Sequence, residues 1–569
     1  MTMFQKRNWR IFKLVFLCCL VVCISSACIS SARRAQAADG LSYTIGTNGL
    51  ATLTYNGQSF LGHSGSGYPQ VINWMPQFRR ADGTTYDDHT VPANATPTAT
   101  RLDAANQKIT LTYPWGVLSY TYRQQGDRLL ITLGIHNTSP DTLTRLDTPV
   151  AELLFPAIPK GTTNDPGMFG YGGMHPLHDY PLSADPQQTP AIITVDWGGG
   201  VLDFCSEDVK AAVTITVPYT SNPPAKTQYP LTVTLTAPLA PGAARTTTFS
   251  LRFGPAGTSG AALASDVLQR YRAAYPFQVH WNDRRIIGMD ILATPQTHPP
   301  KNPRGWFNNA PDVDTTTPAG IAAFRSRLLA YADSSIKVLQ DMDAQGVIMW
   351  DMEGEEFAQD AYYGDPRLVP KTAPEMEYKD ASGVATIDAY FQRFRKAGLR
   401  VGVCLRPQQI VFKNGVPTQT DSQDPERTLR EKLAYAKKRW GCTLFYTDST
   451  ANAQGVLDPD VFKNVADAYP DVLIFPENQT TRYYAYTAPL DSFYHHGVTS
   501  TPQIVRDVYP EAFSILIADD NGKMDANHAK LVAAVKRGDI LIFNAWYANP
   551  DDDKLKSIYR DAGRLPPPH

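Results

Sequence analysis

The chain of 569 residues has few cysteines, and their placement excludes a disulfide framework. Four of the seven cysteines lie within the first 28 residues, and the other three are Cys205, Cys404 and Cys442. None of the three has the CxxC spacing of a metal or redox site, and an exported protein built on disulfides carries a denser, even set. We therefore expect these three residues to be buried, unpaired small hydrophobes.

Several motifs of common enzyme classes are also missing. The sequence holds no GxSxG elbow, no GxxxxGK[ST] loop and no HExxH helix. These absences remove simple support for a serine esterase, a nucleotide triphosphatase and a zinc peptidase. Neither does a GxGxxG turn follow the first strand of the C-terminal half, as a dinucleotide-binding fold would require.

The N-terminus has the pattern of a targeting segment. Basic residues precede an apolar run, residues 14–24, that is too short to span a bilayer. Ala35-Gln36-Ala37 then offers a cleavage site, which predicts a signal peptide over residues 1–37 and a secreted, periplasmic or cell-surface protein. Lipid attachment at Cys28, after Ser25-Ser26-Ala27, is the alternative.

The charge balance argues against nucleic acid as a partner. Residues 1–37 contain six of the 53 basic side chains and none of the 55 acidic ones. The chain that follows is therefore acidic by about eight charges, which does not suit a phosphate backbone.

Residues 38–258 have the alternation of antiparallel strands. Residues 109–113 and 231–235 alternate apolar and polar side chains, and residues 129–135 form a longer run of the same kind. Turn dipeptides such as Asn56-Gly57 separate the runs, and no amphipathic helix occurs before about Ala261. This pattern predicts a large antiparallel β-sandwich.

A linker helix is predicted within residues 259–280, and strands and helices alternate from 281 to 563, before a short tail at 564–569. Eight alternations predict a (β/α)₈ TIM barrel, with a doubly wound open sheet as the alternative. Strand 6 is expected within residues 482–487, and the other seven strands fall in residues 286–291, 347–351, 400–406, 444–448, 472–477, 514–519 and 540–545.

Two neighbouring strands of this barrel each end on a carboxylate. Asp448 ends strand 4 and Glu477 ends strand 5, with one helix between them that Asp458 caps and Pro459 begins. A strand–helix–strand unit places both strands parallel and their carboxyl ends at the same edge, with the strands about 4.8 Å apart. Glycoside hydrolysis needs such a pair, with one acid near the leaving oxygen and one near the anomeric carbon.

Other polar and aromatic side chains also fall at strand ends, where barrel active sites form. For a single strand-end aspartate, an N-cap or a solvated loop carboxylate is the alternative interpretation. Their recurrence favours a site, and the candidates for substrate binding are Asp290, Trp350, Asp351, Glu353, Arg406, Tyr446, Asp519, Asn544 and Trp546. Clustered carboxylates raise one pKa, while Arg406 could keep its neighbour Asp448 ionised.

The layout resembles exported glycoside hydrolases that join a mutarotase-like β-sandwich to a (β/α)₈ barrel. The similarity is to the endo-α-N-acetylgalactosaminidase-like group and, more distantly, to the α-amylase type. Tyr446-Thr447-Asp448 matches the strand-4 nucleophile of these families, Pro476-Glu477-Asn478 the strand-5 acid/base, and Asp519 the strand-7 aspartate of the amylase type. Tyr446 stands where the amylase type has arginine, so the substrate stays open.

The residues and the resemblance together predict a retaining glycosidase that acts on an α-linked carbohydrate. Asp448 is the expected nucleophile and Glu477 the expected acid/base. No cofactor or catalytic metal is expected, and a structural calcium ion in an acidic loop stays open. The alternatives are an inverting glycosidase and a non-catalytic carbohydrate-binding protein on a degenerate barrel.

Overall fold

The computed structural model describes residues 40–61, 75–155, 183–216, 227–294, 298–355, 363–452, 455–493, 497–518 and 522–565. The predicted signal peptide and Asp519 lie outside these ranges. None of the helices in the described ranges is long and apolar enough to cross a membrane.

The N-terminal part is the predicted antiparallel β-sandwich. Its two main sheets have the strand orders β11-β14-β15-β10-β4-β5 and β12-β13-β16-β9-β8-β7-β6, and β1-β2-β3 form a small third sheet. The strands are Leu41–Gly46 (β1), Gly49–Tyr55 (β2), Gln58–Ser59 (β3), Met75–Arg79 (β4), Thr85–Asp87 (β5), Ala99–Asp103 (β6), Lys108–Tyr113 (β7), Gly116–Gln125 (β8), Arg128–Asn137 (β9), Thr142–Phe155 (β10), Ser183–Ala184 (β11), Ile192–Asp196 (β12), Gly200–Ser206 (β13), Val213–Thr216 (β14), Thr227–Leu235 (β15) and Ala244–Pro255 (β16).

Alternation along these strands builds the core of the sandwich. In β9, Leu129, Ile131 and Leu133 are buried while the residues between them are half-buried. The two main sheets pack their apolar faces together, and the Tyr120 hydroxyl lies 2.6 Å from the Thr148 hydroxyl across the interior. This pairing satisfies a polar group that would otherwise be buried at a cost.

The C-terminal part is a parallel, nearly closed barrel of eight strands with the order β25-β22-β19-β18-β17-β28-β27-β26. Two hairpins, β20-β21 and β23-β24, follow its third and fourth strands. The strands are Ile287–Ile291 (β17), Gly346–Trp350 (β18), Arg400–Leu405 (β19), Gln409–Lys413 (β20), Val416–Thr420 (β21), Leu444–Thr447 (β22), Ala451–Asn452 (β23), Gly455–Val456 (β24), Leu473–Pro476 (β25), Leu490–Ser492 (β26), Ile515–Ile517 (β27) and Ile540–Asn544 (β28).

Helices surround the barrel and connect it to the sandwich. They are Gly260–Leu263 (α1), Ser265–Ala274 (α2), Pro318–Asp341 (α3), Val369–Thr372 (α4), Thr386–Lys396 (α5), Pro425–Trp440 (α6), Pro459–Ala468 (α7), Gln503–Val508 (α8), Met524–Lys536 (α9) and Pro550–Asp561 (α10). Asp458 caps α7 as predicted, its side chain accepting a hydrogen bond from the Asp460 N–H.

Successive residues of each barrel strand face in turn the barrel interior and the surrounding helices. Ile348 and Trp350 of β18 belong to the barrel interior, whereas Val347 and Met349 pack against the helices. Cys404 lies in the interior and Cys442 in the helix layer, and all three cysteines of the described ranges are buried and unpaired.

The predicted position of strand 6 is wrong. Residues Tyr483–Ala485 form a single 3₁₀ turn, and the sixth strand is the three-residue β26. The tyrosines that suggested a strand are buried loop residues, since the Tyr483 hydroxyl donates to the Leu457 carbonyl at 2.6 Å.

No α-helix connects β25 to β26 within the described residues, and the linker helix α2 occupies that flank of the barrel. Val267 and Tyr271 of α2 share one apolar cluster with Tyr484 of the connecting segment and Tyr509 after α8. The Gln479 side chain also helps to close the seam between the two strands by donating to the Leu490 carbonyl at 2.8 Å. The linker therefore completes the barrel wall.

We expect Tyr271→Ala to lower the free energy of unfolding by ~3–5 kcal/mol, because it leaves a large cavity in this cluster. Tyr271→Phe is the matched control. The buried hydroxyl of Tyr271 has no hydrogen-bond partner in the described structure, so its removal is expected to be neutral or stabilising. Urea unfolding of both variants measures the difference, and equal losses would contradict the packing role of the ring.

Candidate active site

The ends of β19, β22 and β25 bring Arg406, Asp448 and Glu477 together at the mouth of the barrel. Parallel pairing in register, with Tyr446 opposite Cys404 and Phe475, fixes their relative positions. The residues that follow Cys404, Tyr446 and Phe475 at two-residue spacing then lie on the interior face. The three predicted side chains therefore meet at one site.

Arg406 holds Asp448. Its Nε donates to Asp448 Oδ2 at 2.6 Å, and Nη2 lies 2.5 Å from the same oxygen. Both side chains are nearly buried, so the guanidinium charge acts with little screening by water. The guanidinium of Arg406 and the carboxylate of Asp448 thus form a nearly buried ion pair.

Glu477 is the second carboxyl of the pair and has the opposite electrostatic environment. Burial and then the negative charge of Asp448 raise the pKa of Glu477 to about 7. The Ser449 N–H donates to Glu477 Oε2 at 2.9 Å and opposes that rise in pKa. The pair thus combines a carboxylate in contact with a guanidinium and a carboxyl group whose pKa lies near 7.

Ser449 reaches Glu477 through an uncommon backbone conformation. Its φ of +54° lies in the left-handed region, which a residue other than glycine rarely adopts. Asp351, at the end of β18, also has a positive φ of +57°. Such strain persists only where surrounding contacts fix the backbone, and it clusters at functional sites.

Two of the predicted aromatic residues lie directly below the carboxyl pair. The rings of Trp350 and Tyr446 have centroids 5.1 Å apart, and Phe475 lies 6.1 Å from Tyr446. All three are buried in the barrel interior. They form the layer of the barrel interior that precedes the two carboxyl groups along their strands.

Asp351 faces the same site from β18. Its carboxyl is buried, and burial followed by the charge of Glu355 raises the pKa of Asp351 well above its ordinary value. Arg406 is the cation that acts in the opposite direction. Burial and the neighbouring carboxylates thus favour the protonated form of Asp351, which can donate as well as accept a hydrogen bond.

Glu353 instead contacts the protein backbone. Its Oε1 accepts a hydrogen bond from the Asp365 N–H at 2.9 Å, and burial raises its pKa to about 7. This hydrogen bond joins Glu353, just after β18, to the backbone of Asp365.

The structure does not bring Asp290 to the mouth of the barrel. Met289 faces the interior, so its neighbour Asp290 points outwards to the helices, where it is completely buried. The Tyr390 hydroxyl donates to it at 2.9 Å and the Ser335 hydroxyl at 3.2 Å. A substrate-binding position for Asp290 is therefore wrong in this structure.

Asn544 and Trp546 lie at and beyond the end of β28, both half-buried. The Trp546 ring stacks on Tyr547 with centroids 6.0 Å apart, and Tyr547 is 52% exposed. Trp546 and Tyr547 thus form an aromatic pair that follows β28, four strands away from β22 and Asp448 in the barrel. Asp519 lies outside the described residues.

Several residues around the pair carry no simple sequence signal. Gln419 of hairpin β20-β21 accepts from Arg406 Nη1 at 2.7 Å, and Gln408 donates to the Ser449 and Ala451 carbonyls at 2.9 and 3.0 Å. Lys432 of α6 has a detectable signal, because it interrupts a helix face whose other members, Leu429, Leu433, Ala436 and Trp440, are buried apolar residues. A lysine on such a face indicates a buried partner.

In the described ranges, no group of three or more His, Cys, Asp or Glu side chains is arranged to hold a metal ion. The question of a structural calcium ion stays as open as the sequence left it.

Comparison with known proteins identifies the fold. No family model and no curated protein matches the chain. Among solved structures, the α-N-acetylgalactosaminidase NagBb of Bifidobacterium bifidum is similar as a quadruple mutant, with 12% identity, a TM-score of 0.51 and coverage of 92% of this chain and 91% of that one. Its GalNAc complex gives 11% identity, a TM-score of 0.50 and the same coverage. The α-galactosidase of Lactobacillus brevis has 12% identity, a TM-score of 0.43 and coverage of 93% and 78%.

These similarities confirm the predicted class of fold. The chain shares the sandwich-and-barrel architecture of the glycoside hydrolases it resembles, at identities that are informative about fold alone.

Replacing Asp290 tests its buried environment. Burial raises the pKa of Asp290 from 3.8 to about 7, so protonation stabilises the fold, fully below pH 4 and progressively less up to about pH 7. The amide of Asp290→Asn does not titrate and would carry no such loss. We therefore expect the stability of Asp290→Asn relative to the wild type to rise by ~1–3 kcal/mol between pH 4 and pH 8.

Thermal unfolding across this pH range measures the difference. Asp471→Asn, at an exposed carboxylate paired with Lys437, is the control and should show no such rise. A constant gap between Asp290→Asn and the wild type would contradict the outward, buried placement of Asp290.

Proposed function

We propose that the chain is an exported retaining glycosidase that cleaves an α-linked glycan, with Asp448 as nucleophile and Glu477 as acid/base. The single observation that carries the proposal is the adjacent carboxyl pair, in which Arg406 contacts Asp448 while burial and the Asp448 charge raise the pKa of Glu477 to about 7. The environment of Asp448, beside a guanidinium, suits a nucleophile, and the environment of Glu477, with its raised pKa, suits a general acid.

The steps follow from these two environments. The Asp448 carboxylate would attack the anomeric carbon while the bond to the leaving oxygen breaks, and the proton of Glu477 would pass to that oxygen. Water would then attack the glycosyl–Asp448 ester, the Glu477 carboxylate would take its proton, and free Asp448 would return.

The close approach of the carboxyl groups favours retention over inversion. An inverting pair stands roughly 6.5–9.5 Å apart to admit a water molecule, whereas a retaining pair stands roughly 5–5.5 Å apart. Asp448 and Glu477 directly follow Thr447 and Pro476, which are paired on neighbouring strands, and this adjacency supports the shorter separation.

The choice of first substrates follows the similar structures. NagBb of Bifidobacterium bifidum is named as an α-N-acetylgalactosaminidase. We therefore propose testing aryl α-N-acetylgalactosaminides first, within a panel that also includes α-galactosides and other α- and β-glycosides.

Substitution of the pair tests the assigned roles. We expect Asp448→Asn to lose turnover on every substrate, because no nucleophile remains. Glu477→Gln should lose ~10²–10⁴-fold in kcat/KM on substrates with poor leaving groups and much less in kcat/KM on dinitrophenyl glycosides, whose leaving group needs no protonation; kcat should fall on both, because hydrolysis of the glycosyl–Asp448 ester also uses Glu477. Asp467→Asn, at an exposed helix carboxylate paired with Lys463, is the matched control and should keep full activity.

Initial-rate kinetics measure these effects, and NMR of the first-formed product reports its anomeric configuration. An inverted product would contradict the nucleophile assignment. Carbohydrate binding without turnover in any form would contradict the enzyme proposal and favour a non-catalytic binding protein.

The pH profile gives an independent prediction. Glu477 must hold a proton to act as the acid, so kcat/KM should fall as the pH rises through about 7, the raised pKa of this group. The fall should vanish for dinitrophenyl glycosides and in Glu477→Gln. A profile that stays flat from pH 6 to pH 9 for a substrate with a poor leaving group would contradict the acid role.

A further inference from the structure

A lysine lies completely buried behind the candidate active site. Lys432 is in the middle of α6, and its side chain has no exposed surface. An ammonium group rarely leaves water without strong compensation, because the desolvation of a charge costs several kcal/mol. The contacts that compensate it therefore indicate what the lysine does.

The ammonium group makes three hydrogen bonds, and all three go to backbone carbonyls. Lys432 Nζ donates to Arg406 at 2.7 Å, to Gln408 at 2.8 Å and to Gly364 at 3.1 Å. These carbonyls belong to the loops after β18 and β19. All three donors of the group are thus used to join two loops at the mouth of the barrel.

One branch of this network reaches Asp448. The Arg406 backbone is fixed on both sides, since its carbonyl accepts from Lys432 and its N–H donates to the Gly364 carbonyl at 2.9 Å. The Arg406 side chain leaves this fixed backbone to contact Asp448 at 2.6 Å.

A second branch reaches Glu477. The Gln408 carbonyl accepts from Lys432, and the Gln408 side chain donates to the Ser449 carbonyl at 2.9 Å. The Ser449 N–H in turn donates to Glu477 Oε2 at 2.9 Å. Gln408 thereby supports the strained backbone that presents this N–H.

We propose that Lys432 is a positioning residue, whose ammonium group joins the loops after β18 and β19 and so sets the relative placement of Asp448 and Glu477. The catalytic consequence rests on the proposed function. The geometric part does not, because it concerns only the contacts of the two carboxyl groups.

Charge compensation of Asp365 is the competing explanation for this lysine. Lys432 Nζ lies 3.7 Å from Asp365 Oδ2, which is longer than each of its three bonds to carbonyls. Asp365 already has a bidentate contact with Arg367, with both distances at 2.8 Å. The shorter contacts therefore favour a role towards the loop carbonyls.

The cost of losing the lysine follows from burial. Without the ammonium group, carbonyls of both loops would lose a buried donor, and the loops would have to shift to find water. A displacement of about 1 Å at reacting groups can cost ~10²-fold in rate.

The test compares Lys432→Met with Lys438→Met, which removes an exposed lysine from the same helix. Crystal structures should show the Arg406–Asp448 and Ser449–Glu477 bonds lengthened or broken only in Lys432→Met. NMR titration of the Glu477 carboxyl should show its pKa raised by ~0.5–1, because the Ser449 bond that lowers it is lost.

The charged and titratable groups around each site must be considered in that titration. Asp365, Arg367, Glu353 and Cys404 act on Lys432, and Asp448 and Arg406 act on Glu477. Lys432→Met and Lys438→Met both keep all of these groups. A difference between the two variants in the pKa of Glu477 therefore comes from the loss of Lys432.

Kinetics supply the catalytic readout on the best substrate of the wild type. Lys432→Met should lower kcat by ~10–10²-fold with a smaller change in KM. It should also shift the alkaline limb of the kcat/KM profile to higher pH, because the pKa of Glu477 rises. A lysine that only stabilises the fold would lower the midpoint of thermal unfolding and leave this limb and the Glu477 pKa unchanged, which would overturn the proposal.

Gln408→Met keeps the test decisive if Lys432→Met does not fold. It interrupts only the second branch, so the Glu477 pKa should rise while the Arg406–Asp448 contact stays intact. An unchanged Glu477 pKa in this variant would overturn that branch of the proposal. A wild type without any glycosidase activity would refute the proposed function, and the structures and titrations would still decide the role of Lys432.

Discussion

The contact between Arg406 and Asp448 is the interaction on which the candidate site depends. The Arg406 guanidinium bonds to Asp448 at 2.6 Å, whereas burial and the Asp448 charge raise the pKa of Glu477, so the two carboxyl groups have different electrostatic environments. The surroundings of Arg406 serve to hold it in place, with Gln419 on its side chain and Gly364 and Lys432 on its backbone. The difference between the environments of Asp448 and Glu477 therefore depends on how the backbone of Arg406 is held at the end of β19.

Much of the barrel could be predicted because its strands and helices follow simple periodic patterns. Apolar runs located seven of the eight strands, and α5 and α6 begin and end at the predicted residues Thr386, Lys396, Pro425 and Trp440. The neighbouring ends of β22 and β25 brought Asp448 and Glu477 together as expected. The direction of single side chains was harder to predict, because a shift of one residue along a strand moves a side chain to the other face. Asp290 shows this, since it lies next to the interior residue Met289 and faces the helices.

The remaining differences arise where tertiary packing overrides local pattern. Tyr483 and Tyr484 resemble strand residues, yet they lie in a loop with a single 3₁₀ turn, and their hydroxyls satisfy buried partners there. The polar network of Gln408, Ser449 and Lys432 joins residues far apart in sequence, and its connections are to backbone atoms. Backbone partners leave no residue pattern in the sequence, so only the odd lysine on an apolar helix face hinted at them.

The linker helix α2 has a consequence for how this architecture can be inherited. A barrel that carries all of its own helices can be fused, excised or transferred between proteins as an independent module. Here part of the wall between β25 and β26 is supplied by a segment that precedes the barrel, through Val267 and Tyr271, and Arg482 of that wall donates its N–H to Gln188 of the sandwich at 2.9 Å. Sandwich, linker and barrel thus pack as one unit, and a barrel excised at its own first strand would lack part of its wall.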